Sequence, residues 1–105
     1  MLVDTTSKFN QYVGQIEKYL AQSDSSHLVV DVETNGLDAF GRNQLCGVGL
    51  GYKDETYYFP FRHQNGNNLD PMLQNRLMRC LEMTDMLVGY NIKFDLRFLE
   101  KAGYR

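Results

Sequence analysis

Residues 28–37, Leu-Val-Val-Asp-Val-Glu-Thr-Asn-Gly-Leu, decide the fold of this chain. The first part of this stretch is apolar and β-branched, which predicts a buried β-strand, and the Asn-Gly pair near its end is a strong turn signal. Asp31 and Glu33 stand two residues apart, so in a strand they share one face at a spacing of about 6.5–7 Å. Two acids on one face of an apolar strand repel each other unless a cation lies between them. We therefore expect a cation site at the end of this strand.

The segments on either side predict a helix and an antiparallel meander. Apolar residues at helical spacing predict an amphipathic helix over Thr6–Gln22. The first strand is expected over His27–Thr34, followed by a second over Leu45–Tyr52 and a third over residues 56–61. The connections between these strands are short, which favours antiparallel pairing.

The two faces of the predicted sheet have different compositions. The first strand is apolar on one face, and Val29 leads into the acids on the other, which predicts a central strand with a covering layer on each face. In the second strand Gly47, Gly49 and Gly51 share one face, which suits close approach by a helix or another backbone.

The C-terminal half predicts a helix, a strand and a second helix. The first of these helices is expected to have Asp70 as N-cap and Pro71 as its first residue. Its apolar stripe is expected to comprise Met72, Leu73, Leu77, Cys80 and Leu81. Residues 85–90 predict a short strand that joins the sheet in parallel by a right-handed crossover. A last helix is expected over residues 91–102 and should end at Gly103.

These elements predict one α/β domain over residues 1–105, with a mixed four-stranded sheet flanked by helices and a long exposed edge. The net charge of −2 argues against a protein that coats nucleic acid without regard to sequence, because such proteins are basic. No apolar run is long enough for a membrane span, and the start lacks the pattern of a secretory signal, so we expect a cytoplasmic protein. Cys46 and Cys80 are expected to be free buried thiols, with a disulfide as the less supported alternative.

A third acid, Asp95, follows the predicted parallel strand. If the last helix starts at Asn91, then Asn91 and Asp95 lie one turn apart, and this helix would bring Asp95 toward Asp31 and Glu33. Three carboxylates with little histidine form an oxygen-ligand site, which suits Mg²⁺ or Mn²⁺ better than Zn²⁺.

The segment Asp31-Val-Glu33-Thr34, followed downstream by Asn91-Ile-Lys-Phe-Asp95, resembles the first two motifs of the DEDD-type 3′→5′ exonucleases. The residues of both motifs are most similar to those of the proofreading domain of polymerase I-type (family A) DNA polymerases. The resemblance extends from about residue 28 to residue 103. The resemblance implies an RNase H-like fold. It also implies metal-dependent hydrolysis of single-stranded or frayed DNA 3′ ends to nucleoside monophosphates, with a polymerase domain as a possible neighbour in the same protein.

Carried to this chain, the resemblance implies that two divalent ions are bound by Asp31, Glu33 and Asp95, with Asp31 bridging both ions. Thr34 and Asn91 would contact the terminal nucleotide or order the site. The substrate bases would meet Leu37 and, as a further candidate, Phe98.

The family also has a third motif, a tyrosine or histidine four residues before another aspartate. No such pair follows Asp95 in this chain. We therefore expect a C-terminally incomplete exonuclease domain, the N-terminal portion of such a domain, with weak or absent catalysis.

Plainer interpretations of the same residues stay open. Asp31 and Glu33 could be satisfied by backbone amides or by a lysine such as Lys93, and Asp95 could be a solvated helix residue. Asn91 has an ordinary N-cap position, and Thr34 an ordinary turn position.

Leu37 and Phe98 are also typical of core residues, and His63 of a loop. At the level of function, the alternatives are an RNase D-like or oligoribonuclease-like RNA exonuclease and a non-catalytic module. The latter would pair with a partner, or with a second copy, through the exposed sheet edge.

Overall fold

The computed structural model describes all 105 residues as three helices and four strands. In chain order these are α1 (Thr6–Gln22), β1 (His27–Thr34), β2 (Leu45–Tyr52), β3 (Glu55–Pro60), α2 (Leu73–Glu82), β4 (Met86–Val88) and α3 (Ile92–Lys101). The strands form one sheet in the order β3-β2-β1-β4.

The sheet is mixed, as predicted. β1 pairs with β2, and β2 with β3, in antiparallel register, whereas β4 lies parallel to the start of β1 on its other side. The bounds of α1, β1 and β2 are those predicted, because their apolar periodicity is strong. β3 begins and ends one residue earlier than expected, and β4 is three residues long instead of six. The predicted fold class is confirmed.

One face of the sheet is covered by the three helices. Along β1 the side chains alternate, with Leu28, Val30 and Val32 buried. They belong to one core cluster that also contains Phe9 of α1, Leu77 of α2, and Leu99 of α3. Burial of these apolar side chains is the main favourable term in folding, and it joins the helices to the sheet. We call this the covered face.

The opposite face has no covering layer, which corrects the expectation of a layer on each side. Val29, Asp31 and Glu33 project from it and are exposed. β1 is central because it is hydrogen-bonded on both edges, and not because both of its faces are buried. One valine beside two acids provides too little apolar surface to hold a helix. We call this the open face.

The glycines of β2 also differ from expectation. A Cβ at Gly47 would collide with the hydroxyl of Tyr58, and the ring of Tyr58 lies close to Gly49 as well. An aromatic side chain from β3 therefore occupies the space that was expected to admit a helix or another backbone.

The start of α2 is later than predicted. Asp70 is not the N-cap; its carboxylate accepts a hydrogen bond from Met72 N at 3.0 Å, within a turn that precedes the helix. Met72 is exposed and so lies outside the apolar stripe. This aspartate-proline turn replaces the start of the helix because the Asp70 side chain accepts a hydrogen bond from the backbone N–H two residues later.

The remaining predictions of local structure hold. Gly103 follows α3 with φ +113, the conformation that favours glycine after a helix. Cys46 and Cys80 are buried free thiols. No helix of the chain has the length and apolarity needed to cross a bilayer.

Candidate functional site

Asp31 and Glu33 lie on the open face of β1, each opposite a glycine of β2. Asp31 pairs with Gly49 and Glu33 with Gly47, and the register shifts directly after Glu33. A shallow depression of about 470 Å³ extends from Asp31 along the open face past Gly49. Both acids face solvent, and neighbouring side chains leave room for a ligand beside Asp31, whereas Tyr58 fills the space next to Glu33.

α3 brings Asp95 to the first of these acids. The backbone N–H of Asp95 donates to the carbonyl of Asn91 at 3.1 Å, which is the one-turn relation predicted from the motif. Asp95 is only 4% exposed. Its Oδ2 lies beside Gly89, where an added Cβ would come within 3.3 Å of that oxygen and 3.0 Å of the carbonyl of Val30. The Asp95 side chain is thus packed against the connection that follows β4, close to the β1 backbone.

Burial, which is the larger cause, and the charge of Asp31 together raise the pKa of Asp95 from its ordinary value of 3.8 to about 6. Desolvation acts first because a carboxylate out of water loses its hydration. The geometry agrees with this second cause, because Gly89 adjoins both Asp95 Oδ2 and the carbonyl of Val30, which directly precedes Asp31 in β1. The chain has brought together two acids that are 64 positions apart.

Glu33 has partners that the sequence did not predict. The Tyr58 hydroxyl donates to Glu33 Oε2 at 3.1 Å and lies 2.5 Å from Nε2 of His63. His63 Nε2 is itself 3.9 Å from Glu33 Oε2. The expectation that His63 is merely a loop residue is therefore incomplete. The signal that could have found Tyr58 is its position in β3, since the meander places it across β2 from the acids.

The donor and acceptor roles in this group are coupled. A hydroxyl has one proton, so when Tyr58 donates to Glu33, His63 must carry a proton on Nε2 and donate to the Tyr58 oxygen. Burial, followed by the hydrogen bond to Glu33 and its charge, raises the pKa of Tyr58. Tyr58 consequently keeps its proton at neutral pH and can donate it to Glu33.

Asp31 and Asp95 form no ion pair with a basic side chain of the chain, whereas Glu33 lies near His63. The four ion pairs join Lys8 to Asp4, His63 to Glu33, Arg76 to Glu17, and Arg79 to Glu82. Lys93 takes part in none of them, so the interpretation of the acids as a lysine-paired group fails. The interpretation of Asp95 as a solvated residue fails as well, because it is buried.

The donor set fits a hard divalent cation by its chemistry. Carboxylates are the ligands that Mg²⁺ and Mn²⁺ favour, and two of the three, Asp31 and Asp95, have no basic partner. The side chains do not form a finished cage, however, because no group of three His, Cys, Asp or Glu residues is arranged to hold a metal ion.

The residues expected to meet the substrate differ in position. Thr34 Oγ1 donates to the carbonyl of Gly36 at 2.6 Å, so it has the turn role. Leu37 is 85% exposed, which excludes the core role. Asn91 occupies the N-cap position of α3 without a side-chain capping bond, and its side chain is exposed. Phe98 is 1% exposed and belongs to the core, so the expectation that it meets a base is corrected.

Known proteins are similar to this chain in sequence and in fold. DNA polymerase I of Borreliella burgdorferi is 24% identical over 82 residues, which are 76% of this chain and 9% of the polymerase. The crystal structure of the Aedes aegypti Nibbler EXO domain matches with a TM-score of 0.63 at 16% identity, over 99% of this chain and 46% of that one. No protein-family model matches the chain. The RNase H-like exonuclease fold and the likeness to polymerase I are thereby confirmed, and the chain spans less than half the length of either relative.

Proposed function

We propose that this chain is a metal-dependent 3′→5′ exonuclease unit of the proofreading type, acting on DNA 3′ ends and releasing nucleoside monophosphates. The observation that carries the proposal is the burial of Asp95 beside Gly89, which packs against the carbonyl just before Asp31, without an ion pair at either acid. Keeping such a pair together costs folding free energy, and a bound cation would offset that cost. The exonuclease fold supports a nuclease domain.

The proposed cofactors are two Mg²⁺ or Mn²⁺ ions held by Asp31, Glu33 and Asp95. When bound, such ions lower the pKa of a water molecule and stabilise charge on the attacking and leaving oxygens of a phosphodiester. The chain contributes the positions of the ligands. Asp31 lies on β1, which is an inner strand of the sheet. Asp95 is fixed by packing against Gly89, and the Tyr58 hydroxyl donates a hydrogen bond that orients Glu33.

The proposed substrate is a single-stranded or frayed DNA end. Leu37 presents an exposed apolar side chain three residues after Thr34, where it would wedge against the terminal base. Asn91 has an uncommitted amide close in sequence to Asp95, suited to hydrogen bonding with the terminal nucleotide. The preference for DNA, and a polymerase domain as partner, are supported by the likeness to DNA polymerase I.

Catalysis by residues 1–105 alone is expected to be slow. No tyrosine or histidine stands four residues before an aspartate after Asp95. The site then has three of four expected carboxylates and lacks the residue that would position the attacking water.

A non-catalytic binding module is the second candidate. It is favoured by the lack of a finished three-ligand metal group and by the unpaired edge of β4, where Met86 and Val88 are exposed. Such an edge is a template for pairing with another strand.

Cleavage of 3′-labelled single-stranded DNA in the presence of Mn²⁺ tests the first candidate. We expect slow release of mononucleotides that falls to background in Asp31→Asn, whereas Asp24→Asn, which alters an exposed acid between α1 and β1, keeps the wild-type rate. The proposal fails if neither cleavage nor heat of Mn²⁺ binding is detected by calorimetry. A stable dimer without Mn²⁺ binding would instead support the binding module.

A further inference from the structure

The loop between β1 and β2, residues 35–44, is held firmly in place. The backbone N–H of Asn35 donates a hydrogen bond to the carbonyl of Gln44 at 3.2 Å, and Asn35 Oδ1 accepts one from Gln44 N at 2.8 Å. Asn43 Oδ1 accepts from Asp38 N at 2.9 Å. Lys101 of α3 donates to the carbonyls of residues 41 and 43 at 2.7 and 2.6 Å. This loop is therefore fastened to the C-terminal end of α3.

Despite this order, the loop presents large apolar side chains to water. Phe40 is 84% exposed, as exposed as Leu37, whereas Ala39 between them is buried and anchors the backbone. The Phe40 N–H donates to Asp38 Oδ1 at 3.1 Å, which fixes the backbone that carries the ring. A rigid loop has no need of an exposed aromatic ring for its own stability, so the ring is available to a ligand.

A cation stands beside this ring. The guanidinium carbon of Arg97 lies 5.6 Å from the centroid of Phe40. Arg97 takes part in none of the four ion pairs. Together with Glu100 and Lys101, these two residues line a depression of about 490 Å³. The depression is lined by two basic residues and one acidic residue, so this aromatic surface has an excess of one positive charge in a chain of net charge −2.

This surface is carried by two segments that also belong to the proposed site or adjoin it. Arg97 is two residues after Asp95 on α3, and Phe40 is on the loop that begins where β1 ends. Side chains carried by the same helix and by the loop that adjoins β1 are suited to hold nucleotides that lie upstream of the end of a nucleic-acid strand.

We propose that Phe40 and Arg97 form a subsite for single-stranded nucleic acid, in which a base stacks on the free face of Phe40 and Arg97 contacts an adjacent phosphate. The subsite extends the proposed exonuclease function, on which its place in the reaction rests. Stacking on aromatic rings together with backbone cations is the way that single strands are held without sequence preference. Arginine beside the ring contributes both to base stacking and to phosphate binding, because its planar guanidinium contacts phosphates and π-systems.

Fluorescence anisotropy with labelled oligothymidylate of 12 nucleotides tests the subsite, in EDTA so that no cleavage occurs. Phe40→Ala is expected to weaken binding about 5- to 150-fold, the effect of losing one stacked base. Phe40→Trp should bind within about twofold of wild type. The matched control is Met72→Ala, which removes an equally exposed apolar side chain before α2 and should leave affinity unchanged.

The salt dependence of oligonucleotide affinity distinguishes the contribution of Arg97 from that of Phe40. Arg97→Ala should weaken binding and reduce the slope of log affinity against log salt by about one, whereas Phe40→Ala should leave the slope unchanged. The cation control is Lys18→Ala, an exposed residue of α1. Oligouridylate of the same length should show the same dependence on Phe40, because stacking does not read the sugar.

The subsite is refuted if wild type does not bind the oligonucleotide, if a duplex of equal length competes equally well, or if Phe40→Ala and Arg97→Ala bind as wild type does. Its failure is distinguishable from that of the proposed function through Asp31→Asn. Loss of cleavage by this variant, with Phe40-dependent binding retained, supports the subsite. Binding that depends on Phe40 in a wild-type protein that neither cleaves DNA nor binds Mn²⁺ refutes the exonuclease and leaves the subsite standing.

Discussion

The covered and open faces of this sheet consist of alternate residues of the same strands, yet they are held by different interactions. Behind the covered face, 23 buried residues form a single apolar cluster. The open face has acids, glycines and one tyrosine, and its contacts are hydrogen bonds such as that from Tyr58 to Glu33. Stability should therefore depend mainly on the covered face, and the proposed chemistry on the open one.

The boundary between the covered and open faces contains a group that lowers the stability of the fold. Asp95 is buried at the margin of the core with a raised pKa, next to a second acid. Groups of this kind occur preferentially at functional sites, because burial and like charge are the means of shifting a pKa. The boundary between the two faces is therefore the place where stability and function conflict.

The largest effect is expected from truncation in the core. Leu99→Ala removes a fully buried side chain of α3 and should lower the free energy of unfolding by about 2–5 kcal/mol. Val29→Ala, on the open face, should cost less than about 1 kcal/mol because its side chain is half exposed. Urea denaturation measures both. Equal losses would show that the open face is covered in solution.

Asp95→Asn tests the conflict between stability and function. Because the pKa of Asp95 is raised in the folded state, folded protein holds a proton between pH of about 4 and 6 that unfolded protein has lost. The free energy of unfolding should therefore fall as pH rises through this window, by at most about 3 kcal/mol. The asparagine variant should lack this contribution and be more stable than wild type at pH 8.

Thermal unfolding at pH 4 and pH 8 measures this difference between the proteins. In wild type, Mn²⁺ should raise the melting temperature at pH 8 and should do so much less in the variant. A variant that is less stable than wild type at pH 8 would show that Asp95 has a stabilising partner.

Substitution of the β2 glycines should separate two positions on the same face. Gly47→Ala places a methyl group against the Tyr58 hydroxyl and ring, so Tyr58 must move, at a cost of about 1–3 kcal/mol. Gly49→Ala meets its nearest atom, the carbonyl of Asp31, at an ordinary 3.5 Å and should be tolerated. Chemical denaturation of both variants is the measurement. An equal effect at both positions would mean that Tyr58 does not rest on Gly47.

The smallest effect is expected from Tyr58→Phe. Loss of its hydroxyl removes the hydrogen bonds with Glu33 and His63, at about 1 kcal/mol. Affinity for Mn²⁺ by calorimetry should fall severalfold, since Glu33 loses its fixed orientation. Tyr12→Phe, on α1 and packed against Tyr57 on the covered side, is the control and should bind Mn²⁺ as wild type does. Unchanged Mn²⁺ affinity in both variants would remove Tyr58 from the site.

The periodic elements could be predicted because their signals are local. Apolar residues at helical spacing gave the bounds of α1, and alternation gave those of β1 and β2. Predictions failed where two local signals compete. Asp70 and Pro71 suit a helix start, but the Asp side chain formed a turn with Met72 N instead. Val29 suggested a second covered face, although one apolar residue does not provide one.

The amino-acid order alone places Asp31 and Glu33 on one face of a strand and Asp95 one turn into a helix, because a side chain's direction follows from the period of its element. Only the tertiary structure assigns their neighbours. The burial of Asp95 beside Asp31, and the contacts of Tyr58 and His63 with Glu33, depend on strand register, helix packing and loop path. Desolvation and hydrogen bonding act between residues far apart in the chain, and no local period encodes them.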